Sequence, residues 1–177
     1  MYVIPKYKFC YLAEPRTGSK AVAKILMEKY DARFVRSHHD TPNDHPEIDL
    51  RGWVVCAGAR NHWDAMISWW FKSERRGEMT PLIKFMPRFC KNNPNFVKNG
   101  KLWWKMRPFI NTLIRYEWLN ADLDYALVSV GLPPCNVPIV IDSKRNGRPY
   151  QIFYKTTTRD WVANFFKEEI KQHQYKF

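Results

Sequence analysis

The chain is expected to form one α/β domain over residues 1–177, with a parallel sheet flanked by helices in a three-layer arrangement. Three observations predict this. Apolar runs of strand length alternate along the chain with amphipathic stretches of helix length, an order that builds parallel sheets joined by right-handed crossovers. Several of the helical stretches carry their own start and stop signals. A length of 177 residues with 45% hydrophobic and 16% aromatic content is enough for a core.

The first strand is expected over residues 8–13, and the turn residues Glu14, Pro15, Thr17 and Gly18 end it. Val22, Ile25, Leu26 and Tyr30 then recur at helical spacing. Residues 32–36 read as a second strand, followed by a loop over 37–49 too rich in Asp, Asn, His and Pro to extend it. The unbroken apolar run 53–59 has the character of a strand covered on both faces. The segment from His62 to about Lys72 follows as helix, with Asn61 as its cap and Asp64 in its first turn.

Four prolines between Thr80 and Pro108 predict short helices and loops there rather than a separate domain. Residues 112–116 read as another strand, and Asn120 is expected to cap the helix after it, with Gly131 closing that helix before Pro133 and Pro134. A last helix starting near Thr157 buries Trp161, Val162, Phe165, Phe166 and Ile170 along one face. In such sheets ligands bind beyond the carboxyl ends of the strands, which brings together the loop after Ala13, the loop after Arg36 and the turn after Ala59.

The net charge of +12 favours a polyanionic partner, whether nucleic acid, an acidic surface or a phosphorylated cofactor. Cys10, Cys56, Cys90 and Cys135 are far apart and form no C-x-x-C pair, so they read as buried thiols rather than disulfides or zinc ligands. The N-terminal residues lack the pattern of a secretory signal and no long apolar span occurs, from which a soluble, cytoplasmic chain with no membrane partner is expected. Oligomeric state is not legible.

Two segments carry chemistry. Residues 15–21, Pro-Arg-Thr-Gly-Ser-Lys-Ala, join a strand to a helix start, where backbone N–H groups, hydroxyls and a guanidinium favour an anion. They depart from G-x-x-x-x-G-K-[ST], because Gly18 is their only glycine, which demotes a kinase or ATPase. Residues 60–68, Arg-Asn-His-Trp-Asp-Ala-Met-Ile-Ser, put Arg60 at a strand end and Ser68 on the next helix, where both can hold one phosphate.

Together these segments resemble the sulfotransferase superfamily, with its P-[KR]-[ST]-G-[ST] loop and later R-[DN]-P-x-[DR]-x-x-x-S segment. The likeness extends to residues 114–119, to Gly131-Leu132-Pro133 and to 154–175, which look like small carbohydrate-type sulfotransferases. The resemblance implies a P-loop-like sulfotransferase fold and transfer of a sulfonate group from 3′-phosphoadenosine 5′-phosphosulfate, leaving adenosine 3′,5′-bisphosphate, with no metal. The implied acceptor is a hydroxyl or amine, in a carbohydrate or another small molecule.

By the same resemblance Arg16 contacts the transferring sulfonate, and Thr17, Gly18, Ser19, Lys20 and Ala21 line the 5′ side. Arg60 and Ser68 match the 3′-phosphate pair, and Lys144 and Arg148 belong to a segment that closes over the nucleotide. His62 stands where the family often has Pro, and Lys20 where a hydroxyl is usual. The transfer needs a base near neutrality. His39-Asp40-Thr41 resembles the H-x-[ST] of related carbohydrate enzymes, making His39 the first choice and His38 the second. Asp40 can orient either ring or act itself, and His45 reads as a loop residue. A nucleic-acid-binding module that uses charge and aromatics is the alternative from a different class.

Overall fold

The computed structural model describes residues 1–74, 80–93, 107–138, 145 and 147–177. They group into two compact units, Met1–Ala59 with Gly100–Ile139, and Arg60–Asn99 with Val140–Phe177.

The first unit holds a five-stranded sheet of β1 (Tyr2–Ile4), β2 (Phe9–Leu12), β3 (Arg33–Phe34), β4 (Val54–Ala59) and β5 (Thr112–Arg115), in the order β3-β1-β2-β4-β5. The sheet is mixed, not wholly parallel as the sequence pattern predicts. β2, β4 and β5 are parallel neighbours, and β1 lies antiparallel to both β2 and β3. The exception has a local cause. A single 3₁₀ turn over Pro5–Tyr7, closed by Lys8 at φ 48°, reverses the chain at once and folds β1 back on β2.

Because β1 alone runs against the others, β3 still points the same way as β2. The segments after β2, β3 and β4 therefore leave by one edge of the sheet, and Tyr2, paired with Tyr11 and Phe34, begins its strand at that edge.

Side chains alternate across the pleat. Phe9, Tyr11, Ala13, Cys56 and Ile114 pack with α1 (Ser19–Tyr30) and α4 (Leu119–Ser129) through Val22, Leu26, Leu123 and Leu127. Each such buried leucine contributes about 1.5–3 kcal/mol. Cys10, Leu12, Val55 and Ala57 face the other way, against Met1, Val3, Val35, Ile48 and Leu50. Among the described residues of this unit, that second face is covered by Val35, Ile48 and Leu50 from loops and by Phe109 from a 3₁₀ turn. Asn120 does not cap α4. It sits inside the helix, which begins at Leu119, and its carboxamide oxygen accepts from Val137 N at 2.8 Å.

The second unit contains α2 (His62–Glu74), α3 (Leu82–Asn92), α5 (Thr156–Phe165) and α6 (Lys167–His173). Asn61 caps α2 as its sequence predicts, its Oδ1 accepting from Trp63 N at 3.0 Å. Trp63, Met66, Ile67 and Phe71 of α2 pack against Leu82, Phe85 and Met86 of α3 and Val162 and Phe166 beyond. Pro87 lies inside α3 and removes one ladder bond, on the side where Ile83 is exposed. The single C-terminal helix expected from the pattern is two, broken at Phe166, where φ is −106° and ψ 24°.

All four cysteines are buried and none is in a disulfide. No described helix is long and apolar enough to cross a membrane. Among the described residues no group of three or more His, Cys, Asp or Glu can hold a metal ion.

Candidate functional site

The loop between β2 and α1 is built by close contact with the neighbouring strand. Gly58 of β4 has no side chain, and Thr17 fills the space in front of it: a Cβ there would lie 2.2 Å from Thr17 Oγ1. Thr17 is buried and its hydroxyl donates to the carbonyl of Glu14 at 2.7 Å, so its proton already serves the loop. Arg16 and Gly18 flank it in left-handed conformations, at φ 66° and 76°. Such alternation turns successive N–H groups to one side. Gly18 also starts α1 without a side-chain cap, while its carbonyl accepts from Ala21 and Val22. Ser19 is the first residue of α1 and only 5% exposed, whereas Lys20 is exposed.

Both histidines of the His38-His39 pair reach this segment. His39 Nδ1 lies 2.6 Å from the carbonyl of Ala13. A carbonyl only accepts, so Nδ1 carries the proton and Nε2 is the ring's basic nitrogen. His38 is placed differently: Nδ1 is 2.6 Å from the Tyr2 hydroxyl and Nε2 3.3 Å from Ser19 Oγ. Burial first, then the repulsion that protonating both rings would create with His39, then the first amino group of the chain and Lys20, push its pKa down to about 4. The two rings meet edge to face at 4.6 Å.

Asp40 orients neither ring through a hydrogen bond. Its Oδ2 accepts from Ser37 N at 3.0 Å and pairs with His45 Nε2 at 2.8 Å. His45 is buried and places Nδ1 3.1 Å from Glu47 Oε1. With a carboxylate on each nitrogen, both must donate and the ring is held as imidazolium; the hydrogen bond it donates to Asp40 is the largest cause raising its pKa. His45 therefore staples the loop that carries His38 and His39.

In the second unit, Arg60 directs Nε and Nη2 to Asp64 Oδ2, at 2.9 and 2.7 Å. Asp64 Oδ1 accepts from Arg145 Nη1, so one carboxylate, 10% exposed, holds two guanidiniums. Ser68 follows Asp64 by one helical turn on the same side of α2 and is buried. Arg148 lies exposed over the Phe153 ring at 5.0 Å, and Arg145 reaches Asp64. Lys144 lies outside the described residues.

Tyr2, Gly58, Asp64 and Arg145 were not singled out from the sequence as site residues. Only Asp64 had a usable signal, four residues beyond Arg60 at a helix start. Trp69, Trp70 and Phe71 pack with the core of the second unit, and Trp103 and Trp104 lie outside the described residues. Comparison with protein-family models, curated proteins and solved structures returns no match.

Proposed function

We propose that this chain is a sulfotransferase that uses 3′-phosphoadenosine 5′-phosphosulfate, and that the sheet unit serves as a sulfotransferase-type, P-loop-like phosphate-binding fold. The observation that carries the reading is the hydrogen bond from His39 Nδ1 to Ala13 O. It hangs a defined tautomer of the base candidate from the residue at which the anion-binding loop begins. The loop itself fits a sulfate-like group, with backbone at Arg16 and Gly18 turned for N–H donation and a buried Ser19 hydroxyl at the helix start.

When bound, the donor supplies a sulfonate whose bond to the 5′-phosphate oxygen breaks as the acceptor oxygen or nitrogen bonds to sulfur, the leaving phosphate keeping the electron pair. His39 Nε2 takes the acceptor's proton. Arg16 offers its guanidinium to the sulfonate and bridging oxygens, where charge develops. The N–H groups of 18–20 hold the 5′-phosphate, that of Ala21 being taken by the Gly18 carbonyl, and Lys20 adds a solvent-facing charge. Arg60 and Ser68 are carried over as the 3′-phosphate residues, with Asp64 fixing the guanidinium of Arg60. Lys144 and Arg148 remain assigned to the nucleotide by resemblance alone.

His38 is the weaker base candidate, because a ring whose pKa is near 4 has little proton affinity at neutral pH. The test is transfer of labelled sulfonate to a panel of carbohydrate and simple hydroxyl or amine acceptors. Wild-type protein transfers label, and His39→Ala lowers kcat by about 10²–10⁴-fold while keeping nucleotide affinity. Equal transfer by His39→Ala removes His39 from the reaction.

A further inference from the structure

The hydrogen bonds around His38 have a direction, and it follows from their two unequal lengths. A neutral imidazole carries one N–H, so there are two possible arrangements of the Tyr2, His38 and Ser19 contacts. In one, Nδ1–H donates to the Tyr2 oxygen and the Ser19 hydroxyl donates to Nε2. The Tyr2 proton is then left without an acceptor among the described residues, on a side chain only 5% exposed. In the other, the Tyr2 hydroxyl donates to Nδ1 and His38 Nε2–H donates to Ser19 Oγ. The 2.6 Å separation between Tyr2 and Nδ1 suits a phenol donating to a ring nitrogen. The proton left over is then that of Ser19, which is as buried as Tyr2, so the short Tyr2–Nδ1 separation beside the 3.3 Å from Nε2 to Ser19 Oγ decides between the two arrangements.

We propose that Tyr2 and His38 are positioning residues, a one-way relay that makes Ser19 accept from His38 and so turns the Ser19 proton toward an anion seated at the start of α1. This rests on the sulfotransferase reading for the identity of that anion, the 5′-phosphosulfate group, and deepens it. Ser19 alone can either accept or donate. Fixed by the relay, it is a donor at the site, which favours a fully ionised phosphate or sulfate oxygen over a ligand hydroxyl. The strand order makes this possible, because β1 brings Tyr2 to the edge where β2 and β3 end. Burial, more than any neighbouring charge, disfavours a charged His38, which keeps the ring neutral and the relay intact through the neutral range.

Nitrogen NMR of the labelled imidazoles, on ligand-free wild-type protein at neutral pH, reads the tautomer directly. The relay requires His38 protonated on Nε2, and protonation on Nδ1 or on both nitrogens overturns it whatever the protein binds. Titration with adenosine 3′,5′-bisphosphate then compares wild type with Tyr2→Phe, which keeps the ring and removes only the hydroxyl. About tenfold weaker binding by the folded variant, with loss of the single tautomer, supports the relay. Unchanged affinity and tautomer in Tyr2→Phe, beside tight wild-type binding, overturn the relay and leave the sulfotransferase reading standing. No binding by wild type overturns that reading, and with it the anion at the relay's end. Should Tyr2→Phe fail to fold, the wild-type tautomer decides.

Discussion

Thr17 occupies the space that a side chain on Gly58 would need: a Cβ at that position would stand 2.2 Å from Thr17 Oγ1 and 2.8 Å from Thr17 Cβ. Strand β4 thus sets the path of the loop after β2. Gly58→Ala forces Thr17 away, and with it the bond to Glu14 that closes the loop. The expected cost is about 1–3 kcal/mol, as for overpacking a filled core. Denaturant midpoints measure it, and nucleotide affinity should fall further than stability alone explains. A Gly58→Ala protein with wild-type affinity would mean that loop shape does not govern binding.

His45 links Asp40 and Glu47, and the sign of its pH effect is fixed by the direction of its shift. Its folded pKa is raised above the ordinary value of about 6.5, so its contribution is fully present below that value and is lost as pH rises through the raised one. The difference in melting temperature between wild type and His45→Gln should be largest near pH 6 and narrow toward pH 9. A difference that stays constant over that range contradicts the imidazolium staple.

Asp64 neutralises one of two guanidiniums that it holds together, with Arg60 and Asp64 side chains 8% and 10% exposed. Asp64→Ala leaves Arg60 and Arg145 facing each other, at an expected cost of about 3 kcal/mol or more. An added anion should take the place of the carboxylate. Thermal unfolding in increasing phosphate is therefore expected to stabilise Asp64→Ala more steeply than wild type, and parallel slopes would contradict this.

The extent to which the sequence specifies this structure differs between elements for physical reasons. β4 and α2 were legible because 53–59 is an unbroken apolar run and Asn61 and Asp64 mark a helix start. β1 was missed because it is three residues long and ends at Pro5, although all three are buried. Missing it also hid the antiparallel pairing, since β3 is only two exposed residues whose direction is set by β1. The break at Phe166 leaves no mark in the pattern, because Val162, Phe166 and Ile170 keep helical spacing across it.

For the site, local motifs identified the loop 15–21 and the pair His38-His39, but long-range contacts distinguish the two rings. His39 reaches Ala13 across 26 positions, and His38 reaches Tyr2 across 36. Asp40 could be read beside either histidine, yet it turns to His45 five residues on. Arg145 carries no local signal that sets it apart from Lys144 and Arg148, and its ion pair with Asp64 is a long-range contact.

The central claim is tested most directly by calorimetric titration of adenosine 3′,5′-bisphosphate, beside adenosine 5′-monophosphate, into wild type, Arg16→Ala and Arg60→Ala. The account predicts tight binding by wild type, loss of most of that affinity without the 3′-phosphate, and weakening in both variants. Absence of binding by folded wild-type protein, or equal binding of both nucleotides by all three proteins, would contradict it.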